Sequence, residues 1–229
     1  MFSTIKVIAF DADDTLWVNE PYFRDAEKDF CELLKEYVSE EECNALLYKI
    51  EMQNLPLYGY GIKPFALSLI EAAITISNNQ IPLETVSKLI EIAKRMLLMP
   101  VEIIDRIEAT LAQLSKKYRL VVATKGDLLD QERKLMRSGL EKYFHHIEVM
   151  SDKKPKNYQK LITHLDIAPE QFLMIGNSLK SDILPVLEIG SFAIHIPFHI
   201  TWQHEKVTEE VVHTNFKTLE LASELIDLL

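Results

Sequence analysis

The 229-residue chain carries only two cysteines, Cys31 and Cys43. Both fall in helix-like sequence and neither belongs to a metal-binding spacing. A disulfide framework and a cysteine-built metal site are therefore excluded, and buried thiols are expected. Positive charge is also scarce: 25 Lys and Arg stand against 35 Asp and Glu, for a net charge of −10. Such a surplus repels phosphate backbones and anionic bilayers, which argues against nucleic acid and membrane as partners. No apolar run approaches the roughly 20 residues that a membrane span needs. The short apolar run near the N-terminus is followed at once by acids, so neither a signal peptide nor an anchor is expected. Repeats and low-complexity segments are missing as well. What remains, at 48% hydrophobic and 26% charged residues, has the composition of a globular protein long enough to bury a sizeable core. A cytoplasmic enzyme, monomeric or homodimeric, is the expectation.

From about Glu20 to Met99 the chain contains no convincing strand. Phe23, Ala26, Phe30, Leu33 and Tyr37 recur at helical spacing and predict a helix over 20–38. Cys43, Leu46, Leu47 and Ile50 predict a second helix, with Ser39 as its N-cap before a run of acids. Phe65, Leu69, Ala72, Ala73 and Ile76 mark a third, opened by Pro64. Val86, Leu89, Ile90, Ala93 and Leu97 mark a fourth between Pro82 and Pro100. Four helices of this length predict an antiparallel bundle forming a domain of its own, 18–100.

On either side of that insertion the pattern is α/β. Strands are predicted at Ile5–Phe10, Arg119–Thr124, Ile147–Met150, Phe172–Ile175 and Phe192–Ile196. Helices are predicted around Ile103–Leu114, Leu128–Ser138 (closed by Gly139), Tyr158–Leu165 and Leu219–Leu229. Strands alternating with helices imply a doubly wound parallel sheet, built from 1–17 and 101–229 and interrupted after its first strand by the bundle.

Chemistry collects where these strands end. The first runs into Asp11-Ala12-Asp13-Asp14-Thr15. Carboxylates crowded at the carboxyl edge of a sheet repel one another, and a divalent cation relieves the repulsion. The second ends in Thr124-Lys125-Gly126, whose hydroxyl and backbone amide suit a phosphate oxygen. The third is followed by Lys153-Lys154-Pro155, and the fourth by Gly176-Asn177-Ser178 through Asp182, with further oxygens for a cation. By contrast, His145-His146 and the scattered His195, His199 and His204 share no helix face and no zinc spacing, so no zinc site is expected there.

In this order the four segments resemble the four motifs of the haloacid dehalogenase-like (HAD) hydrolase superfamily. Asp11-Ala12-Asp13-Asp14-Thr15 matches its DxDx[TV] motif, Thr124 the second motif, and Lys154 before Pro155 the lysine of the third, with Lys153 as the less favoured alternative. Gly176-Asn177-Ser178 through Asp182 matches the fourth, and the helical insertion sits where that superfamily carries its C1 cap. The departure is Asn177, where members often have Asp. The resemblance implies a Rossmann-like core and an Mg²⁺-dependent phosphatase acting on a small phosphorylated metabolite or phosphoanhydride. Asp11 would be the nucleophile and would carry an aspartyl phosphate. Asp13 would be the acid and base. Asp11, the Asp13 carbonyl, Asn177 and Asp182 would hold the metal, and Thr124, the Lys125 amide and Lys154 the phosphate. In C1-capped relatives the turn after the second cap helix faces the active site. Tyr60 and Lys63 are thus expected to read the leaving group, unless this turn is a plain hinge. A phosphomutase, a dehalogenase of the same fold and a non-catalytic binding protein on this scaffold remain the alternatives; dehalogenases usually lack an acid at the position of Asp13.

Overall fold

A computed structural model describes residues 2–229. The chain divides into two compact units, Met1–Glu20 with Val101–Leu229, and Pro21–Pro100. The first crossing thus comes at Glu20, slightly later than the composition predicts.

The first unit is built on six strands: β1 (Val7–Phe10), β2 (Arg119–Lys125), β3 (Ile147–Met150), β4 (Phe172–Gly176), β5 (Phe192–His195) and β6 (Phe216–Thr218). All pair in parallel, in the order β3-β2-β1-β4-β5-β6. Successive side chains on a strand face opposite ways, and the core divides accordingly. Ile8, Phe10, Leu120, Val122, Leu173 and Ile175 pack on one face, with α5 (Ile107–Leu114), α6 (Leu128–Ser138) and α9 (Leu225–Leu228) on that side. Val7, Ala9, Val121, Ala123, Phe172 and Met174 pack on the other, against α7 (Pro155–His164) and α8 (Leu184–Glu188). Strands covered on both faces read as unbroken apolar runs, which is why four-residue segments were legible as strands.

In the second unit, α1 (Glu20–Leu34), α2 (Glu40–Tyr58), α3 (Ile62–Ile76) and α4 (Leu83–Leu98) enclose a separate core of Phe30, Leu34, Leu47, Phe65, Leu69, Leu89 and their neighbours. Ser39 caps α2 in a reciprocal box with Glu42, worth about 1 kcal/mol at such a position. Cys31 and Cys43 are both free thiols, buried in this core.

Three expectations are corrected. α1 stops at Leu34 rather than continuing to 38, and residues 35–38 form the turn that delivers Ser39. Ile103 is not on α5: it forms a bridge with Trp17, and Arg106 takes a left-handed conformation (φ 61°) that starts the helix afresh at Ile107. Before the final helix comes an unexpected strand, β6, too short and polar to show a period; the tail is then a 3₁₀ turn and one short helix.

Candidate active site

The chain lays down β1, β2 and β3 in one direction and then returns to place β4, β5 and β6 on the other side of β1. Loops leaving β1 and β4 diverge, and the crevice between them is where open α/β sheets bind ligands. Asp11 stands directly at that point. Its backbone amide donates to the Ile175 carbonyl at 2.8 Å, tying the end of β1 to the end of β4.

The Asp11 carboxylate is buried and meets Lys153, whose Nζ is 2.5 Å from Asp11 Oδ1 and 2.6 Å from Asp182 Oδ1. Lys153 is itself only 3% exposed. Burial alone would lower its pKa, but the charges of Asp11 and Asp182 outweigh burial and hold the ammonium well above its ordinary value. Asp11 remains raised, because burial, together with the charges of Asp182 and Asp13, exceeds what Lys153 supplies. One cation serves two buried carboxylates, and the site is short of positive charge.

Asp13 sits in a different environment. Trp17 Nε1 and Lys134 Nζ donate to its Oδ1 at 2.8 and 2.9 Å, and Gln131 Nε2 donates to Oδ2 at 2.8 Å. Burial pushes its carboxyl up, but the Lys134 charge and these three donors overcome that and hold it below the usual range. Lys134 also reaches Asn19 Oδ1 at 2.8 Å. Gln131 and Lys134 lie one turn apart on α6 and so share a face.

β4 ends at Gly176, and the following residues Leu179–Ile183 form a π-helical turn, a wide helical bend frequent at functional sites. The turn carries the fully buried Asp182 back against the strand end. A Cβ at position 176 would lie 2.2 Å from Asp182 Oδ2, so only glycine admits that carboxylate. The Ser178 amide donates to Asp182 Oδ2 at 3.0 Å. Asn177 Oδ1 accepts from the Thr15 hydroxyl at 3.2 Å, and His195 Nε2 lies 3.0 Å from the Asn177 carbonyl. The carboxylates of Asp11 and Asp182 share one ammonium, and oxygen donors of this kind suit a hard divalent ion such as Mg²⁺.

Of the expected phosphate ligands, Thr124 is buried at the end of β2, the neighbour of β1. Lys125 follows it, with its ammonium engaged by Ser181 Oγ at 2.9 Å and Glu205 Oε1 at 2.7 Å. Lys154 does not join the group. Its side chain is 72% exposed and pairs with Asp152 at 2.8 Å, whereas Lys153 is the lysine turned to Asp11. α7 begins two residues later with Pro155 at its first position. Tyr60 stands on the connection between α2 and α3 of the second unit and is half-buried, whereas Lys63 lies in the first turn of α3 and is exposed.

Glu205 was not expected. It accepts from Lys125, from Ser178 Oγ at 2.5 Å and from Ser181 Oγ at 2.6 Å. Burial opposes its charge, but Lys125 and the hydroxyls win and bring its pKa down to about 2. Trp17, Gln131 and Lys134 complete the groups that no motif spacing singled out, and Lys153, the less favoured alternative, takes the place given to Lys154.

The model of the haloacid dehalogenase-like hydrolases matches residues 5–190. The chain belongs to that family. Hydrolases of this kind generally use a divalent metal. A solved haloacid dehalogenase-like family hydrolase from Xanthomonas campestris superposes with a TM-score of 0.89 at 36% identity, covering 98% of this chain and 90% of that one. A glyceraldehyde 3-phosphate phosphatase from Methanothermobacter thermautotrophicus is 27% identical over 209 residues, 86% of this chain and 88% of its own. A 2-haloacid dehalogenase from Pseudomonas syringae shares the fold at a TM-score of 0.62 and 19% identity, covering 98% of this chain and 97% of that one. Phosphatases and dehalogenases therefore lie on the same architecture, and the fold alone does not choose between their chemistries.

Proposed function

We propose that this hydrolase is an Mg²⁺-dependent phosphatase that releases phosphate from a small phosphorylated metabolite or phosphoanhydride through an aspartyl phosphate on Asp11. The observation that carries the reading is a second acid, Asp13, held ionised by Lys134, Trp17 and Gln131 two residues beyond the buried Asp11. Halide leaves carbon without a proton, so a dehalogenase has little use for that acid. An alkoxide leaving phosphorus needs a proton, and the second step needs a base for water. The phosphatase relative, similar over most of its length, supports the same choice and a small phosphorylated substrate.

In this mechanism Asp13 takes up one proton from solvent as substrate enters, an Asp11 oxygen attacks phosphorus, and the bond from phosphorus to the leaving oxygen breaks as Asp13 passes that proton on. Asp13, ionised again, then takes a proton from water. The hydroxide attacks the phosphorus of the acyl phosphate, the bond to Asp11 breaks, and inorganic phosphate leaves. Lys153, Thr124 and the Lys125 amide neutralise the developing charge on the phosphoryl oxygens. Asp11, the Asp13 carbonyl, Asn177 and Asp182 would hold Mg²⁺, which when bound supplies the positive charge that lets an anionic carboxylate approach an anionic phosphate. Tyr60 and Lys63 are proposed to read the leaving group, as part of a C1-type cap. Tyr60→Ala should then lower kcat/KM for the best substrate by about 10-fold or more, one good contact being worth about 1–3 kcal/mol, while sparing a generic aryl phosphate.

A panel of phosphorylated metabolites and pyrophosphate, assayed with Mg²⁺ and with EDTA, tests the proposal. Phosphate release from at least one compound, abolished by EDTA, is the expected result. Isomerised product without free phosphate would make the protein a mutase. No turnover on any compound at high enzyme concentration would overturn the reading.

A further inference from the structure

The histidines set aside in the sequence acquire a partner on folding. β3 is one of the two edge strands of the sheet, and His146 and Glu148 are two residues apart at its amino end. On a strand this spacing places both side chains on one face. Met150 shares that face and belongs to the core packed against α7, whose last residue is His164. Glu148 Oε2 lies 4.0 Å from His146 Nε2 and 3.9 Å from His164 Nδ1, and the three donor atoms all fall within 4.8 Å of one another. The group stands two to four positions back from the strand end that feeds Lys153, outside the donor set of Asp11, Asn177 and Asp182.

We propose that His146, Glu148 and His164 form a second metal site, for a borderline transition-metal ion of the Zn²⁺ type. Two imidazoles and one carboxylate are a zinc ligand set that leaves a fourth position for water. Imidazole selects Zn²⁺, Ni²⁺ or Cu²⁺ over Mg²⁺, so this site and the all-oxygen site at Asp11 are chemically distinct. His146 Nε2 is buried and makes no hydrogen bond among the described residues. Its other nitrogen, Nδ1, is 2.9 Å from His145 Nδ1. A proton held on His146 Nδ1 and donated to His145 leaves the Nε2 lone pair facing Glu148 and His164, the orientation such a partner fixes in ligating histidines. His164, 72% exposed at the helix end, is free to swing inward and close the donor distances to zinc-binding lengths. Arg119 is the nearby opposing charge; its guanidinium is tied to the Leu165 carbonyl at 2.7 Å, and Glu148 offsets it. Bound metal would clamp the edge strand to α7.

The site does not depend on the phosphatase reading, and its test reads binding. Zn²⁺ is titrated calorimetrically into the full-length protein carrying Asp11→Asn in excess Mg²⁺, which suppresses binding at the catalytic carboxylates. Co²⁺ replaces Zn²⁺ in a parallel absorption experiment. One equivalent of Zn²⁺ should bind, and Co²⁺ should give the visible bands of a low-coordinate nitrogen–oxygen site. His164→Ala, at an exposed position that leaves folding intact, should weaken Zn²⁺ binding about 10–100-fold or more, and Glu148→Gln should weaken it too. Stoichiometric binding unchanged by His164→Ala, or no binding at 100-fold excess Zn²⁺, would overturn the proposal.

Discussion

Lys153→Met removes the one ammonium shared by Asp11 and Asp182 while keeping an apolar stem of similar length. Lys153 is almost fully buried and bonds both carboxylates at 2.5–2.6 Å. Deleting one partner of a buried ion pair leaves uncompensated charge and costs about 3–5 kcal/mol. The cost should be largest at neutral pH and smaller in acid, where Asp11, already raised, takes up a proton. In the reaction, losing one preorganised cation at the phosphoryl oxygens should lower kcat about 10²–10³-fold. A third consequence separates electrostatics from general damage. Lys153 and a divalent cation draw on the same two carboxylates, so removing Lys153 should lower the Mg²⁺ concentration for half-saturation even as turnover falls. Urea unfolding at two pH values and Mg²⁺ titrations of activity measure all three effects. Lys153→Arg, which keeps the charge but not the geometry, should retain most of the stability and little of the rate. Lys154→Met, at an exposed side chain paired with Asp152, should leave both unchanged. If Lys154→Met instead abolishes activity and Lys153→Met is tolerated, the assignment of the lysine is wrong.

Asp11→Asn should abolish turnover, whereas Asp13→Asn should lose about 10²–10⁴-fold, least with good leaving groups, and rapid-quench labelling with an aryl phosphate should trap phosphate on Asp11; label on another residue refutes the mechanism. Asn177→Asp adds a carboxylate to the proposed metal set, so half-saturation should need less Mg²⁺; an unchanged midpoint would remove residue 177 from the ligands. Glu205 has a folded pKa of about 2 against 4.5, so its ionised form stabilises the fold above pH 4.5, and that stability fades as pH falls toward 2. At about 1.4 kcal/mol per pH unit this amounts to about 3 kcal/mol. Glu205→Gln should lose up to that much at pH 7 and converge on wild type in acid, as read from urea midpoints between pH 2 and 7; a constant gap across that range would show that the charge contributes nothing.

The strands of the core were legible because parallel strands covered on both faces leave unbroken apolar runs, as at Val121–Ala123 and Phe172–Ile175. Helix ends were legible where a local group closes them: Ser39 with Glu42, and Gly139 in the left-handed region at φ 70°. β6 was not, since Phe216-Lys217-Thr218 owes its pairing to β5 and not to any period of its own. The same limit governs the site. Asp11, Asp13, Thr124, Asn177 and Asp182 follow strand ends, so locating the strands locates them. Choosing Lys153 over Lys154 requires knowing which side chain turns inward, a property of the packed loop that two adjacent lysines do not encode. Gln131 and Lys134 left a faint signal, their shared face on α6. Glu205 left none: its partners Lys125, Ser178 and Ser181 are distant in sequence and meet it only through tertiary packing.

The two acids of the first motif are two residues apart, yet the fold separates their chemistry by giving each its own lysine. Lys153 is divided between Asp11 and Asp182, so Asp11 stays short of counter-charge and raised. Lys134 gives its shortest carboxylate bond to Asp13, with Trp17 and Gln131 beside it, and Asp13 is lowered. Pairs of carboxyl groups driven apart in this way identify a division of acid–base labour. A carboxylate short of positive charge is one that a divalent cation binds and keeps ionised, the condition a nucleophile needs beside an anionic phosphate. A carboxylate already ionised without metal is ready to take a proton from water. The same arrangement keeps the proton-donating form of Asp13 scarce, because the donors that stabilise its anion must yield before it can take up a proton. Substrates whose leaving oxygen demands a proton should therefore react more slowly than good leaving groups. Lys134→Met, which releases that hold, should narrow the difference between the two; an unaltered ratio would mean that Lys134 does not govern the proton on Asp13.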